Sequence, residues 1–185
     1  MKFINFLLII FISLPSAIKA DLNEDLINDL KEGGKLVFIR HAYAPGGGDP
    51  NNFELNNCNT QRNLDNIGKE QAKRIGKFFE NNQIPIEKVI SSEWCRCKET
   101  SLLAFNTYKN KSFLNSFFSP KFSSNKNRQM SDLKKYIKKW HGKKNLILVT
   151  HYVVILEALD YASLSGEIIV SDKNFKKIGS IKIDY

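Results

Sequence analysis

Asn145-Leu-Ile-Leu-Val-Thr150 is an unbroken apolar run, and His151 follows it directly. A short, continuously apolar stretch suits a strand buried on both faces, as in a parallel sheet covered by helices. After His151 the pattern turns helical over 153–159. The same grammar recurs upstream. Lys35-Leu-Val-Phe-Ile39 reads as a strand and ends on Arg40-His41. Lys88-Val-Ile-Ser91 reads as a second short strand, followed by a helix over 93–105.

The intervening segments fill in helices. Residues 22–31 carry apolar side chains at helical spacing, and Gly33-Gly34 stop them. Asp65 is placed to cap a helix over 66–82, with Ala72, Ile75, Phe78 and Phe79 on one face. Residues 128–140 form a basic amphipathic helix with Met130, Leu133, Tyr136, Ile137 and Trp140 inward. Phe113-Leu-Asn-Ser-Phe117 is expected as a further strand, and 166–170 with 178–183 as a closing pair. Strands alternating with helices predict an α/β three-layer sandwich, with a mostly parallel central sheet and helices on both faces.

The N-terminus reads differently. Met1-Lys2 precedes a 12-residue apolar run over 3–14, then Pro15-Ser16-Ala17-Ile18-Lys19-Ala20. A cation, a short greasy core and small residues predict a secretory signal peptide over 1–20, cleaved after Ala20. The run is shorter than the roughly 17–25 residues a membrane helix needs, so no stable membrane span is expected after cleavage. Residues 21–185 are expected as one domain, and the expected address is secreted or periplasmic.

The chain has 185 residues and a formal net charge of +9, of which Lys2 and Lys19 leave with the signal. The excess points to an anionic partner. Lysines such as Lys134, Lys135, Lys138 and Lys139 are spread along a helix without interleaved aromatic platforms, which argues against nucleic acid. Of three cysteines, Cys95 and Cys97 flank one residue and are poorly placed to bridge each other. Either Cys58 pairs with one of them or all three are reduced. No C-x-x-C or H-x-x-x-H occurs, so no metal site is expected.

Polar clusters lie just past three strand ends: Arg40-His41, Ser91 through Arg96, and Thr150-His151. Ligand sites of α/β sheets form along that edge. Arginine forks and imidazoles converging there suit a phosphoryl group.

These segments resemble the motifs of the histidine phosphatase superfamily, the phosphoglycerate-mutase-like proteins. Arg40-His41-Ala42 is similar to its R-H-G. Arg62 through Leu64, Gly68 and Gln71-Ala72 match R-x-L-x-x-x-G-x-x-Q-A. Ser91-Ser92, Arg96 and Glu99-Thr100 match S-S-x-x-x-R-x-x-E-T, and Val149-Thr150-His151 matches V-x-H. The resemblance implies a core of Arg40, His41, Arg62, Arg96 and His151, with His41 as nucleophile and no metal or other cofactor. It implies a small phosphorylated substrate. The export signal and the Pro45 to Pro50 loop further resemble small exported members, including those acting on phosphorylated lipopolysaccharide core sugars.

The family's usual proton-donor glutamate has no counterpart in Leu114-Asn115-Ser116-Phe117-Phe118. Glu93 and Asp49 are the remaining candidates, and a weakly basic leaving group would need neither. Alternatives to an exported phosphomonoesterase are a non-catalytic phosphate- or phosphoglycan-binding protein and a phosphohistidine-protein phosphatase. A Cys58–Cys95 bond would tie two phosphate-binding segments together.

Overall fold

The computed structural model describes residues 17–184, with side chains from Glu24 onward. Most of the expected signal peptide, 1–16, lies outside the described residues. The elements run α1 (Ala17–Glu32), β1 (Leu36–Arg40), α2 (Asn66–Asn81), β2 (Ile86–Ser91), α3 (Cys95–Phe105) and β3 (Lys109–Asn110). They continue with α4 (Pro120–Ser123), α5 (Lys126–Lys138), β4 (Asn145–Thr150), α6 (Tyr152–Leu159), β5 (Ile168–Ser171) and β6 (Lys177–Ile181). Among the described residues no helix is long and apolar enough to cross a membrane.

The six strands form one sheet in the order β3-β2-β4-β1-β5-β6. The first four are parallel, and β5 and β6 close the sheet antiparallel. The mostly parallel sheet expected from the apolar runs is therefore found. Strand periodicity divides its side chains between two cores. Leu36, Phe38, Leu146, Leu148 and Ile90 pack with Met130, Leu133 and Ile137 of α5 and Val154, Ile155 and Leu159 of α6. Val37, Ile39, Ile147, Val149 and Val89 face the other way, against Leu26 and Leu30 of α1, Ile75 and Phe79 of α2, and Cys97 of α3.

The local reasons match the sequence. Gly33 and Gly34 end α1 at positive φ, and a Cβ on Gly33 would overlap the Lys143 carbonyl oxygen. Asp65 caps α2, its side chain accepting from Gly68 N at 2.8 Å. Helix α3 begins at Cys95, two residues later than expected, with Trp94 as its cap in extended backbone.

The expected strand at 113–117 is a correction. Ser112–Leu114 is a 3-10 turn, and the edge strand is the shorter Lys109–Asn110 upstream. Phe113, Leu114 and Phe117 are all buried in the same core, so the segment cannot alternate as a strand must. Its Leu114 carbonyl accepts from Thr150 Oγ1 at 2.7 Å, which ties the turn to the end of β4.

Candidate active site

Adjacent parallel strands β1 and β4 run in register, with Arg40 opposite Thr150. The residues after them, His41 and His151, are thereby brought together, with ring centroids 5.5 Å apart. His41 N donates to Thr150 O at 2.9 Å, which fixes the two turns to each other. On the other flank of β4, Ser92 N donates to Val149 O at 2.9 Å and leads into Arg96, in the first turn of α3.

The turn after His41 is clamped from two motifs. Ala42 N donates to Thr100 Oγ1 at 3.0 Å, and Thr100 Oγ1 donates to Arg96 O at 2.7 Å. Tyr43 N donates to Gln71 Oε1 at 2.8 Å, while Gln71 Nε2 donates to Ser165 O and Ile183 O. Gly68 lets α2 reach this turn, since a Cβ there would overlap the Tyr43 carbonyl oxygen. These contacts explain physically why Gly68, Gln71 and Thr100 accompany the histidine in the chain.

His41 Nδ1 lies 2.8 Å from Ala42 O. A carbonyl only accepts, so the proton sits on Nδ1 and the lone pair on Nε2. Arg96 Nε faces that lone pair at 3.2 Å. Burial holds the His41 pKa well below the ordinary 6.5, and Arg96 pushes it the same way, with Arg62 and Arg40 adding to the effect. The ring is therefore neutral at neutral pH. His151 is neutral for the same reasons, burial first and Arg96 next. Its Nε2 lies 2.8 Å from Ser92 Oγ and 3.5 Å from Cys97 Sγ. Burial raises the Cys97 thiol to about 12, so it sits there protonated.

Three guanidinium groups and one carboxylate complete the site. Arg96 is 3% exposed. Its Nη1 and Nη2 donate to Asp49 Oδ1 and Oδ2 at 2.7 and 3.2 Å, and Nη1 also reaches Arg62 O. Arg40 Nη1 donates to Ser163 O at 2.8 Å, with its guanidinium over the Tyr152 ring. Arg62 Nη1 donates to Ala44 O. The Nε atoms of Arg40 and Arg62 are buried without a partner. Burial lowers the pKa of both arginines, yet each keeps donors to spare. Three cations against one anion leave two positive charges, the complement of a phosphoryl dianion.

These groups floor a cavity of about 870 Å³ lined by Arg40, His41, Asp49, Arg62, Arg96 and His151, among others. His41 and His151 are only 2% and 3% exposed, and both line this cavity. A second groove of about 780 Å³, against α2 and α3, contains none of these residues.

The five side chains expected to converge do so. The two donor candidates fare differently. Asp49 is in the cavity, but as the partner of Arg96. Burial alone would raise its pKa; the Arg96 hydrogen bonds and charge, with donors from Arg62 N and Trp94 Nε1, outweigh that and hold it below the usual carboxylate range. A carboxylate held ionised is a poor proton donor. Glu93 precedes α3 and is not among the described residues lining the cavity. Its carboxylate accepts from Asn115 Nδ2 at 2.6 Å, and its N–H donates to Asn115 Oδ1. Asn115 is a residue the sequence did not single out. Its Oδ1 also accepts from Ser92 Oγ at 3.1 Å, so it belongs to the His151 network.

The Cys58–Cys95 disulfide is formed and Cys97 is free and buried. The bond joins the 3-10 turn Cys58–Thr60, just before Arg62, to the residue before Arg96. Gln61 Oε1 reinforces the junction by accepting from Cys95 N at 2.9 Å. Among the described residues no group of three or more His, Cys, Asp or Glu is placed to hold a metal ion.

No family profile and no curated protein matches the chain. Solved structures do. A phosphoglycerate mutase from Thermus thermophilus is 17% identical, with a TM-score of 0.53 over 81% of this chain and 99% of that one. The protein histidine phosphatase SixA in complex with tungstate is 12% identical, with a TM-score of 0.51 over 77% and 92%. An Escherichia coli protein provisionally assigned as an α-ribazole-5′-P phosphatase is 14% identical, with a TM-score of 0.56 over 83% and 97%. The chain therefore has the α/β fold of phosphoglycerate mutase and the histidine phosphatases, as its motifs implied.

Proposed function

We propose that the protein is a metal-independent phosphomonoesterase that works through a phosphohistidine on His41. The observation that carries the reading is the His41 ring itself: neutral, with Nδ1–H fixed by Ala42 O and the Nε2 lone pair directed among three guanidinium groups.

Phosphoryl transfer demands little beyond positioning and stabilisation of charge on the equatorial oxygens. The phosphoryl group takes the spare donors of Arg40 and Arg62 and the Nε–H of Arg96, which frees the His41 lone pair. The Ser92 proton goes to Asn115 Oδ1, so His151 Nε2 donates to Ser92 Oγ and carries the proton of the neutral ring. His41 Nε2 forms a bond to phosphorus as the P–O bond to the leaving group breaks, the electron pair leaving with oxygen. Water then attacks phosphorus and the P–N pair returns to Nε2; one water proton stays on the inorganic phosphate and the other passes through solvent to the departed leaving-group oxygen. Tungstate in the SixA structure, a tetrahedral oxyanion, supports the same reading of the fold.

Export belongs to the proposal. A signal peptide over 1–20 and a periplasmic or secreted address are supported by the Cys58–Cys95 bond, since disulfides persist in oxidising compartments. An envelope phosphosugar meets the charge requirement, as any small phosphomonoester does.

The test is turnover of p-nitrophenyl phosphate in the presence of EDTA, with trapping of labelled phosphoenzyme. Label on His41 and none on His151, with loss of turnover in His41→Ala, is the expected result. Tight phosphate binding without turnover would favour a phosphate-binding protein, a second reading that rests on the ion-paired state of Asp49.

A further inference from the structure

Among the described residues lining the cavity, Asp49 is the one carboxylate, and both its oxygens are engaged by Arg96. Glu93 is held by Asn115 outside the lining. The floor thus offers cations and neutral imidazoles to the phosphoryl group but no carboxylic acid to the departing oxygen.

The walls carry a second signal. Phe118 lines the cavity with 68% of its surface exposed, the most exposed of the large apolar residues described. Phe53 and Phe122 line the same cavity, packed on each other at 5.6 Å between centroids and on Trp94, which itself anchors Asp49. Tyr43 and Tyr152 line the same cavity near the histidines. Aromatic walls around a few placed polar groups are the usual lining of a small-molecule site.

From these two observations we infer that the preferred substrates are aryl phosphates, whose leaving group is flat, apolar and able to depart unprotonated. The inference rests on the proposed function and names its substrate class. A phenol ionises near pH about 10, whereas an ordinary alcohol lies close to water, several orders of magnitude less acidic. Aryloxide can therefore leave with the P–O electron pair and take its proton from solvent afterwards. An alkoxide needs that proton in the transition state, and a general acid typically supplies about a hundredfold to ten-thousandfold. Aromatic walls hold a flat ring by offset or edge contacts. The balance is an aryl phosphate plus water giving a phenol plus inorganic phosphate, with the P–N bond of His41 formed and broken between.

The experiment measures kcat/KM for phenyl phosphates of graded phenol pKa, glucose 6-phosphate and phosphoramidate, with labelling of His41 followed in parallel. The expected result is a steep rise in kcat/KM as phenol pKa falls. Glucose 6-phosphate should be at least about a hundredfold slower than phenyl phosphate. Phe118→Ala, at an exposed position, should raise KM for phenyl phosphate more than it raises Ki for inorganic phosphate. Turnover of glucose 6-phosphate within about tenfold of phenyl phosphate, or preference for phosphoramidate, overturns the inference while labelled His41 leaves the proposed function standing. No label and no turnover with any substrate overturns both.

Discussion

Asp49 grips both terminal nitrogens of Arg96, at 2.7 and 3.2 Å, and so turns the remaining Nε–H of that guanidinium toward His41 Nε2 at 3.2 Å. A planar fork allows this division of labour: one edge is held, the other is presented. The carboxylate thus acts on His41, the proposed nucleophile, at one remove, by aiming the guanidinium edge that faces it.

Replacing it separates aiming from acid catalysis. Asp49→Asn keeps the shape and loses charge-assisted bonds worth about 1.5–3 kcal/mol each. The expected outcome is a drop in kcat/KM of about tenfold to a hundredfold, equal for phosphates of good and poor leaving groups. A loss confined to poor leaving groups would make Asp49 the proton donor instead.

Thr100 is the hidden brace of the turn after His41. Its hydroxyl accepts from Ala42 N and donates to Arg96 O, both buried. Thr100→Val preserves volume but strands the Ala42 N–H, at a cost of about 1–3 kcal/mol. The urea midpoint should fall accordingly. Because Ala42 O orients His41 Nδ1, kcat should fall more than KM rises.

Much of this was legible in the sequence because the information is local. Continuous apolar runs marked β1, β2 and β4, and Asp65 marked the start of α2 by its cap. Arg40-His41 and Thr150-His151 carried the site because strand ends of a parallel sheet share one edge. The misreading of 113–117 has an equally physical cause. Phe113, Leu114 and Phe117 plug the core end-on, and apolar content alone does not distinguish a plug from a strand. The Asp49–Arg96 pair spans 47 residues and the Asn115 links to Ser92 and Glu93 span 22–23, so no spacing rule reaches them.

The Cys58–Cys95 bond closes a loop with a sequence separation of 37. A cross-link of that span stabilises by about 3–4 kcal/mol through the unfolded chain. Under reducing conditions the urea midpoint should drop, and the mass should rise by two hydrogens. The Arg62 and Arg96 segments lose a covalent tie, so KM should rise with it. Cys58→Ser should reproduce both effects, and an unchanged midpoint would show that the bond contributes nothing in solution.

The buried neutral imidazoles tie stability to pH. Burial and Arg96 keep His41 and His151 unprotonated in the folded protein far below 6.5, whereas in the unfolded chain both titrate near 6.5. Above that pH both states hold the same protons and these groups contribute no slope. Below it the unfolded chain binds protons that the folded one refuses, so stability falls as pH falls. The decline is at most about 1.4 kcal/mol per pH unit for each ring. Asp49 extends it further down, since its lowered carboxylate pKa contributes stability above the unfolded value that is lost on acidification. Urea midpoints should therefore be level from about pH 8 to 7 and drop steadily from about 6.5 downward. In a His41→Asn/His151→Asn variant the slope between about 6.5 and 5 should shrink. A slope unchanged by that double replacement would show that the rings are protonated inside the fold, where a cationic His41 has no lone pair with which to attack phosphorus.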